Sequence, residues 1–129
     1  MITLRNRQRL LKIDAPRLKT IAEQLAGRPL TIVFVTDRVM ARLNEQFHHT
    51  ACPTDVLTFD YGAEADLVIS VERAMAQAKR YRTTVARELA LYVIHGILHL
   101  RGYADHTPRQ RARMRAAEKR LLRRYCAAR

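Results

Sequence analysis

Cysteine is scarce in this chain: the 129 residues hold two, Cys52 and Cys126, too far apart to read as a metal-binding pair. Each is read as a free thiol, which fits a reducing compartment. No apolar run reaches the ~18 residues that span a bilayer. The opening Met1-Ile2-Thr3-Leu4-Arg5 lacks the apolar centre of a secretory signal. These absences exclude a disulfide scaffold and a membrane span, and the expected location is the cytoplasm. Internal repeats, low-complexity stretches and linkers are missing as well. Residues 1–129 are therefore read as one domain, long enough to bury a core without staples. A hydrophobic fraction of 48% agrees with a folded chain.

Acid is the second scarcity. There are 12 Asp and Glu against 24 Lys and Arg, a formal +12. The segment from Thr107 to Arg129 holds nine basic residues and a single acid, Glu118, and so carries +8 of that excess. A run of charge is ordinarily a solvated helix face. One so rich in arginine also suits bidentate contact with phosphates, which makes Arg120, Arg123 and Arg124 candidate contacts to a phosphate backbone.

The apolar pattern alternates between sheet and helix. Residues 2–6 read as a strand, 14–26 as a helix with Asp14 as cap and Pro16 in its first turn, and 29–35 as a β-branched buried strand. A helix capped by Thr36 or Asp37 follows, with Val39, Met40, Leu43 and Phe47 expected on its apolar face. Strands are expected at 55–59 and 65–70 around a turn at Gly62. Helices are expected at 71–81, 84–101 and from Thr107-Pro108 onward. The fold class is α+β, a small mixed sheet of about four strands packed with helices.

The stretch His95-Gly96-Ile97-Leu98-His99-Leu100-Arg101-Gly102-Tyr103-Ala104-Asp105-His106 carries the chemistry. Residues four apart share one helix face, so His95 and His99 can reach one ion. Gly102 permits the left-handed turn that ends a helix, after which Asp105 or His106 can supply a third ligand. Three protein ligands with one open position is the pattern of a catalytic zinc site. The plainer alternative is a cluster of core histidines held by hydrogen bonds. Two histidines and a carboxylate also suit several other divalent ions.

His95-Gly96-Ile97-Leu98-His99-Leu100-Arg101-Gly102-Tyr103 resembles the signature of the YbeY family of bacterial rRNA maturation endoribonucleases. Leu43-Asn44-Glu45-Gln46-Phe47, Pro53-Thr54-Asp55-Val56-Leu57-Thr58-Phe59 and Ala65-Asp66-Leu67-Val68-Ile69-Ser70 resemble its other motifs, in the family's order. Ala65 stands where a glycine is usual.

The resemblance implies a zincin-like arrangement, in which a central helix carries one Zn2+ per chain. It also implies single-strand-specific cleavage of RNA in ribosomal RNA maturation and ribosome quality control. The partners would be ribosomal RNA or a ribosomal subunit. Two positions depart from the family pattern. His-x3-His-x5-His lands on Asp105, and the next histidine, His106, comes one residue late. Asp105 is the third ligand if the turn has no insertion, and His106 if it has one. His48 stands where the family usually has an arginine thought to contact substrate. It is largely neutral near pH 7 and would act there as a hydrogen-bond partner or proton donor. The plain alternative is that His48 and His49 are a solvent-exposed loop pair.

A metalloprotease of the His-Glu-x-x-His type places its general base after the first histidine; that position here is Gly96. No separate general base is identified, and His95 and His99 are assigned to activating water through the metal. Two other classes remain open. One is an RNA-binding module stabilised by a structural metal, with Cys52 as a conceivable fourth ligand. The other is a metal-dependent hydrolase of another substrate, such as a peptide.

Overall fold

The computed structural model describes residues 1–48 and 55–126, with His48 described by its backbone alone. Cys52, His49 and the Pro53-Thr54 start of one motif lie outside the described residues. The elements run β1 (Ile2–Asn6), α1 (Ala15–Leu25), β2 (Leu30–Val35), α2 (Asp37–His48), β3 (Val56–Asp60), β4 (Ala65–Ser70), α3 (Val71–Arg80), α4 (Val85–Leu100) and α5 (Pro108–Cys126). No helix among the described residues is long and apolar enough to cross a membrane.

The strands form one mixed sheet in the order β1-β2-β4-β3. β1, β2 and β4 are parallel neighbours, and β3 pairs antiparallel with β4, with Val56 opposite Ile69 and Asp60 opposite Ala65. Alternation sorts the side chains between two layers. Ile2, Leu30, Ile32, Phe34, Leu67 and Ile69 face the larger core, which α1, α3, α4 and α5 cover. Val33, Val35, Leu57 and Val68 face a smaller cluster, closed by Met40 and Leu43 of α2. The α+β reading is therefore correct.

α2 corrects one expectation. Met40 is buried, but Val39 and Phe47 are exposed and Asn44 is buried instead. Phe47 packs edge-to-face on Phe59 of β3, with centroids 5.2 Å apart, at the margin of the sheet rather than under it. Helix starts follow the expected chemistry. Side chains of Asp14, Ser70 and Thr84 accept from the backbone N–H three residues on. At α5, Thr107 and Gln110 form a reciprocal capping box, each side chain accepting from the other's backbone N–H.

α4 is seated by three features. At its middle, a Cβ on Gly96 would overlap the Leu67 side chain of β4, so the missing side chain is what lets helix and sheet approach. At its end, Gly102 has φ of +101°. Its N–H bonds to the His99 carbonyl, and the Tyr103 N–H reaches back to Leu98, the paired bonds of a Schellman turn. The third feature is Arg28. Its guanidinium holds both Asp60 carboxylate oxygens, at 2.8 and 3.1 Å, and also donates to the Leu100 carbonyl at 3.2 Å.

Gly96→Ala should destabilise the fold by about 1–3 kcal/mol, the usual cost of overpacking, although alanine is the better helix former. Denaturant unfolding measures this. A midpoint at or above that of the parent would mean Leu67 can move aside without strain.

Candidate metal centre

The spacing of His95 and His99 does in the structure what helical geometry requires. Both rings lie on one face of α4, edge to face, with centroids 4.6 Å apart and the two Nε2 atoms 3.1 Å apart. The Schellman turn redirects the chain without an extra residue, and Asp105 Oδ2 comes to 3.4 Å from His99 Nε2. One ligand atom from each of His95, His99 and Asp105 lies within 4.8 Å of the others. Two nitrogens held about 2.0–2.1 Å from a tetrahedral ion are themselves about 3.3 Å apart. The 3.1 and 3.4 Å separations about His99 Nε2 match that spacing, and two nitrogens with one carboxylate oxygen form a donor set that small divalent ions accept.

His106, the alternative third ligand, does not join this group. Its backbone N–H donates to Gln110 Oε1 at 2.9 Å as part of the α5 start, and its side chain is exposed. Asp105 is further fixed by Arg111, which donates to its backbone carbonyl at 3.2 Å.

Sequence reasoning missed Glu118. Its Oε2 takes the hydrogen bond from His95 Nδ1 across the α4–α5 contact. A carboxylate acceptor at that place favours the Nδ1–H form of a neutral imidazole, and Nε2 lies on the side of His99 and Asp105. The signal was present, since Glu118 is the one acid among nine basic residues.

The arginines divide by helix geometry. At about 100° per residue, Arg120, Arg123 and Arg124 are turned between about 120° and 160° around α5 from Glu118. All three are exposed, and Arg124 lies over the Tyr125 ring, 5.8 Å from its centroid. On the Glu118 side, Arg115 and Lys119 line a groove of about 460 Å³ together with Leu91, Glu118 and Leu122. The side chain of His48 lies outside what the structure describes.

Two buried polar groups share the histidine face of α4. Glu88 is 7% exposed, and burial pushes its carboxyl up, with Asp55 adding to the effect and Arg87 opposing it. Tyr92 is 5% exposed, its phenol pushed up by burial and by Asp55 and Glu88. Its hydroxyl has no hydrogen-bond partner among the described residues.

A small mixed sheet under a helix that carries His, His and a turn-borne carboxylate defines a class of α+β domain with a site of metal-ligand type. The family described as Endoribonuclease YbeY matches residues 4–126, and the chain belongs to that family.

Three bacterial relatives described as Endoribonuclease YbeY support this. The one from Chloroflexus aurantiacus is 40% identical over 118 residues, covering 78% of this chain and 76% of its own. The one from Heliobacterium modesticaldum is 33% identical over 124 residues, covering 82% and 75%. The one from Myxococcus xanthus is 38% identical over 109 residues, or 77% of this chain, and the match spans only 37% of that longer protein. The solution structure of TM1509 from Thermotoga maritima has the same fold, with a TM-score of 0.70 at 24% identity over 99% of this chain and 91% of its own.

Glu88 gives a pH prediction. Its folded-state value is raised, so ionisation favours the unfolded chain, and the cost grows as pH rises from about 4 through the folded value. Glu88→Gln should be more stable than the parent at neutral pH, with the difference closing on acidification below about 4. Thermal melts across that range test this; a pH-independent difference would remove burial as the cause.

Proposed function

We propose that this chain, acting as one domain, is a single-strand-specific, metal-dependent endoribonuclease working on ribosomal RNA in the cytoplasm, in rRNA maturation and ribosome quality control. The observation that carries this reading is the convergence of His95, His99 and Asp105 on one point, in a chain of the YbeY endoribonuclease family. Those three residues would hold the ion, with Zn2+ as first candidate. When bound, it would supply an activated water or polarise a phosphoryl oxygen.

The remaining work falls to the chain's own groups. Gly96 leaves no acid beside His95 to serve as the protease-type base, which disfavours peptide hydrolysis. Arg115 and Lys119, at the groove beside Glu118, are suited to neutralise the phosphates nearest the cleavage point. Arg120, Arg123 and Arg124 are suited to hold phosphates farther along the strand, and His48 is a further candidate substrate contact. A metal-stabilised binding module would keep the metal and the RNA affinity but lack turnover.

Cleavage of a single-stranded RNA, with and without chelator and alongside metal content, separates these readings. The expected result is chelator-sensitive cleavage, with His99→Ala losing metal and activity together. Tight RNA binding and bound metal without cleavage would establish the binding module instead.

Changing Asp105 and His106 separately should weaken metal binding strongly for Asp105→Ala and barely for His106→Ala; the reverse order would move the third ligand to His106. Neutralising Arg120, Arg123 and Arg124 together should flatten the salt dependence of RNA binding. The log–log slope should fall by about 0.7 for each phosphate no longer neutralised, or about two in all. An unchanged slope would make that face merely solvated.

A further inference from the structure

Glu118 sits where an acid is expensive. It lies one helical turn from both Met114 and Leu122, in the row of α5 that faces the core, and its side chain is 13% exposed. Every other charged residue from 107 to 126 is basic. A carboxylate in such a row costs desolvation unless it finds a donor, and the donor here is His95 Nδ1. If α5 needed only a surface charge, an exposed position would have served.

We infer that Glu118 is a positioning residue for the metal centre. Its carboxylate fixes the His95 ring with the proton on Nδ1, so that Nε2 presents a lone pair toward His99 and Asp105. This rests on the metal reading above and goes beyond it by assigning a residue from another helix to the ligand set's geometry. The physical basis is that a ligating imidazole has two nitrogens, and whatever bonds the outer one decides which face and tautomer meet the ion. A carboxylate in that place also makes the imidazole a stronger donor.

The arrangement accounts for His99 too. With His95 Nε2 unprotonated, the proton shared across the 3.1 Å contact belongs to His99 Nε2, which also faces Asp105 Oδ2 at 3.4 Å. Loading the site therefore asks only His99 to change tautomer, its proton moving from Nε2 to Nδ1, while His95 is already set.

The test uses the full chain in three forms: the parent, Glu118→Gln and Glu118→Ala. The first readout is the tautomer of His95, taken from the nitrogen-15 spectrum of the metal-free protein under mildly alkaline conditions. The parent should hold the proton on Nδ1, and Glu118→Ala should lose that preference. The second readout is zinc affinity by competition with a chromophoric chelator. Glu118→Ala should bind about 10- to 100-fold more weakly than the parent. Glu118→Gln, which keeps an acceptor but not the charge, should fall between them.

Unfolding midpoints of the metal-free forms show whether α5 still docks. If Glu118→Ala fails to fold, Glu118→Gln and the parent's tautomer carry the decision. A parent with the proton on Nε2, or unchanged zinc affinity in a folded Glu118→Ala, would overturn the inference. A parent that binds no zinc would overturn the metal reading instead, and the tautomer measurement would still decide the Glu118 contact.

Discussion

At residue 96 helix α4 runs so near strand β4 that no Cβ fits between its backbone and Leu67, and His95 and His99 flank that point of contact. The close approach fixes the depth of the helix, and the chain elsewhere fixes its ends. Arg28 ties the Leu100 carbonyl to the β3–β4 hairpin through Asp60, and Arg101 donates to the Leu25 carbonyl of α1 at 2.8 Å. A metal-type site needs its ligands held within tenths of an ångström. For His95 and His99 that precision comes from the seating of α4 against Leu67 of the sheet, and for Asp105 from the turn that follows the helix.

α5 supplies what α4 cannot. A helix can put two imidazoles on one face, but it cannot choose which nitrogen of each points outward. That choice comes from the neighbouring element, and the capping box at Thr107 and Gln110 starts α5 in a register that brings Glu118 opposite His95. The turn between the helices has a double role. It presents Asp105 to His99 and sets the phase of the helix that orients His95.

Much of this was legible locally. The His95–His99 spacing, the Gly102 stop and the Thr107 cap each depend on residues within one or two turns, so the sequence reveals them. The turn itself offered both Asp105 and His106; the family spacing pointed to Asp105, and the folded turn brings Asp105 to 3.4 Å from His99 Nε2. The strand order β1-β2-β4-β3 was not legible, because parallel pairing joins residues far apart in the chain. Val39 and Phe47 were misplaced for a related reason. Periodicity finds an apolar stripe, but it cannot say that the sheet ends beneath Phe47 or that Asn44 takes the inner place. Glu118 was hidden by averaging. Summing charge over 107–129 gives a basic segment, whereas the single acid matters because of the face it occupies.

The separation of charge by face resolves an apparent conflict. A chain of net +12 should repel a divalent cation as well as attract a polyanion. Screening limits each effect to about 8 Å at physiological ionic strength, so the local charges decide which is felt. At the His95–His99 face the nearest ionised side chains include Asp105 and Glu118, which favour a cation. Arg120, Arg123 and Arg124 point away around α5 and do not oppose it. A phosphate backbone spans many such lengths and meets the basic face over several contacts. α5 therefore sets its one carboxylate beside His95, with Arg115 and Lys119 at the groove next to it and Arg120, Arg123 and Arg124 turned away. The sole carboxylate of that helix belongs on the side where it is found.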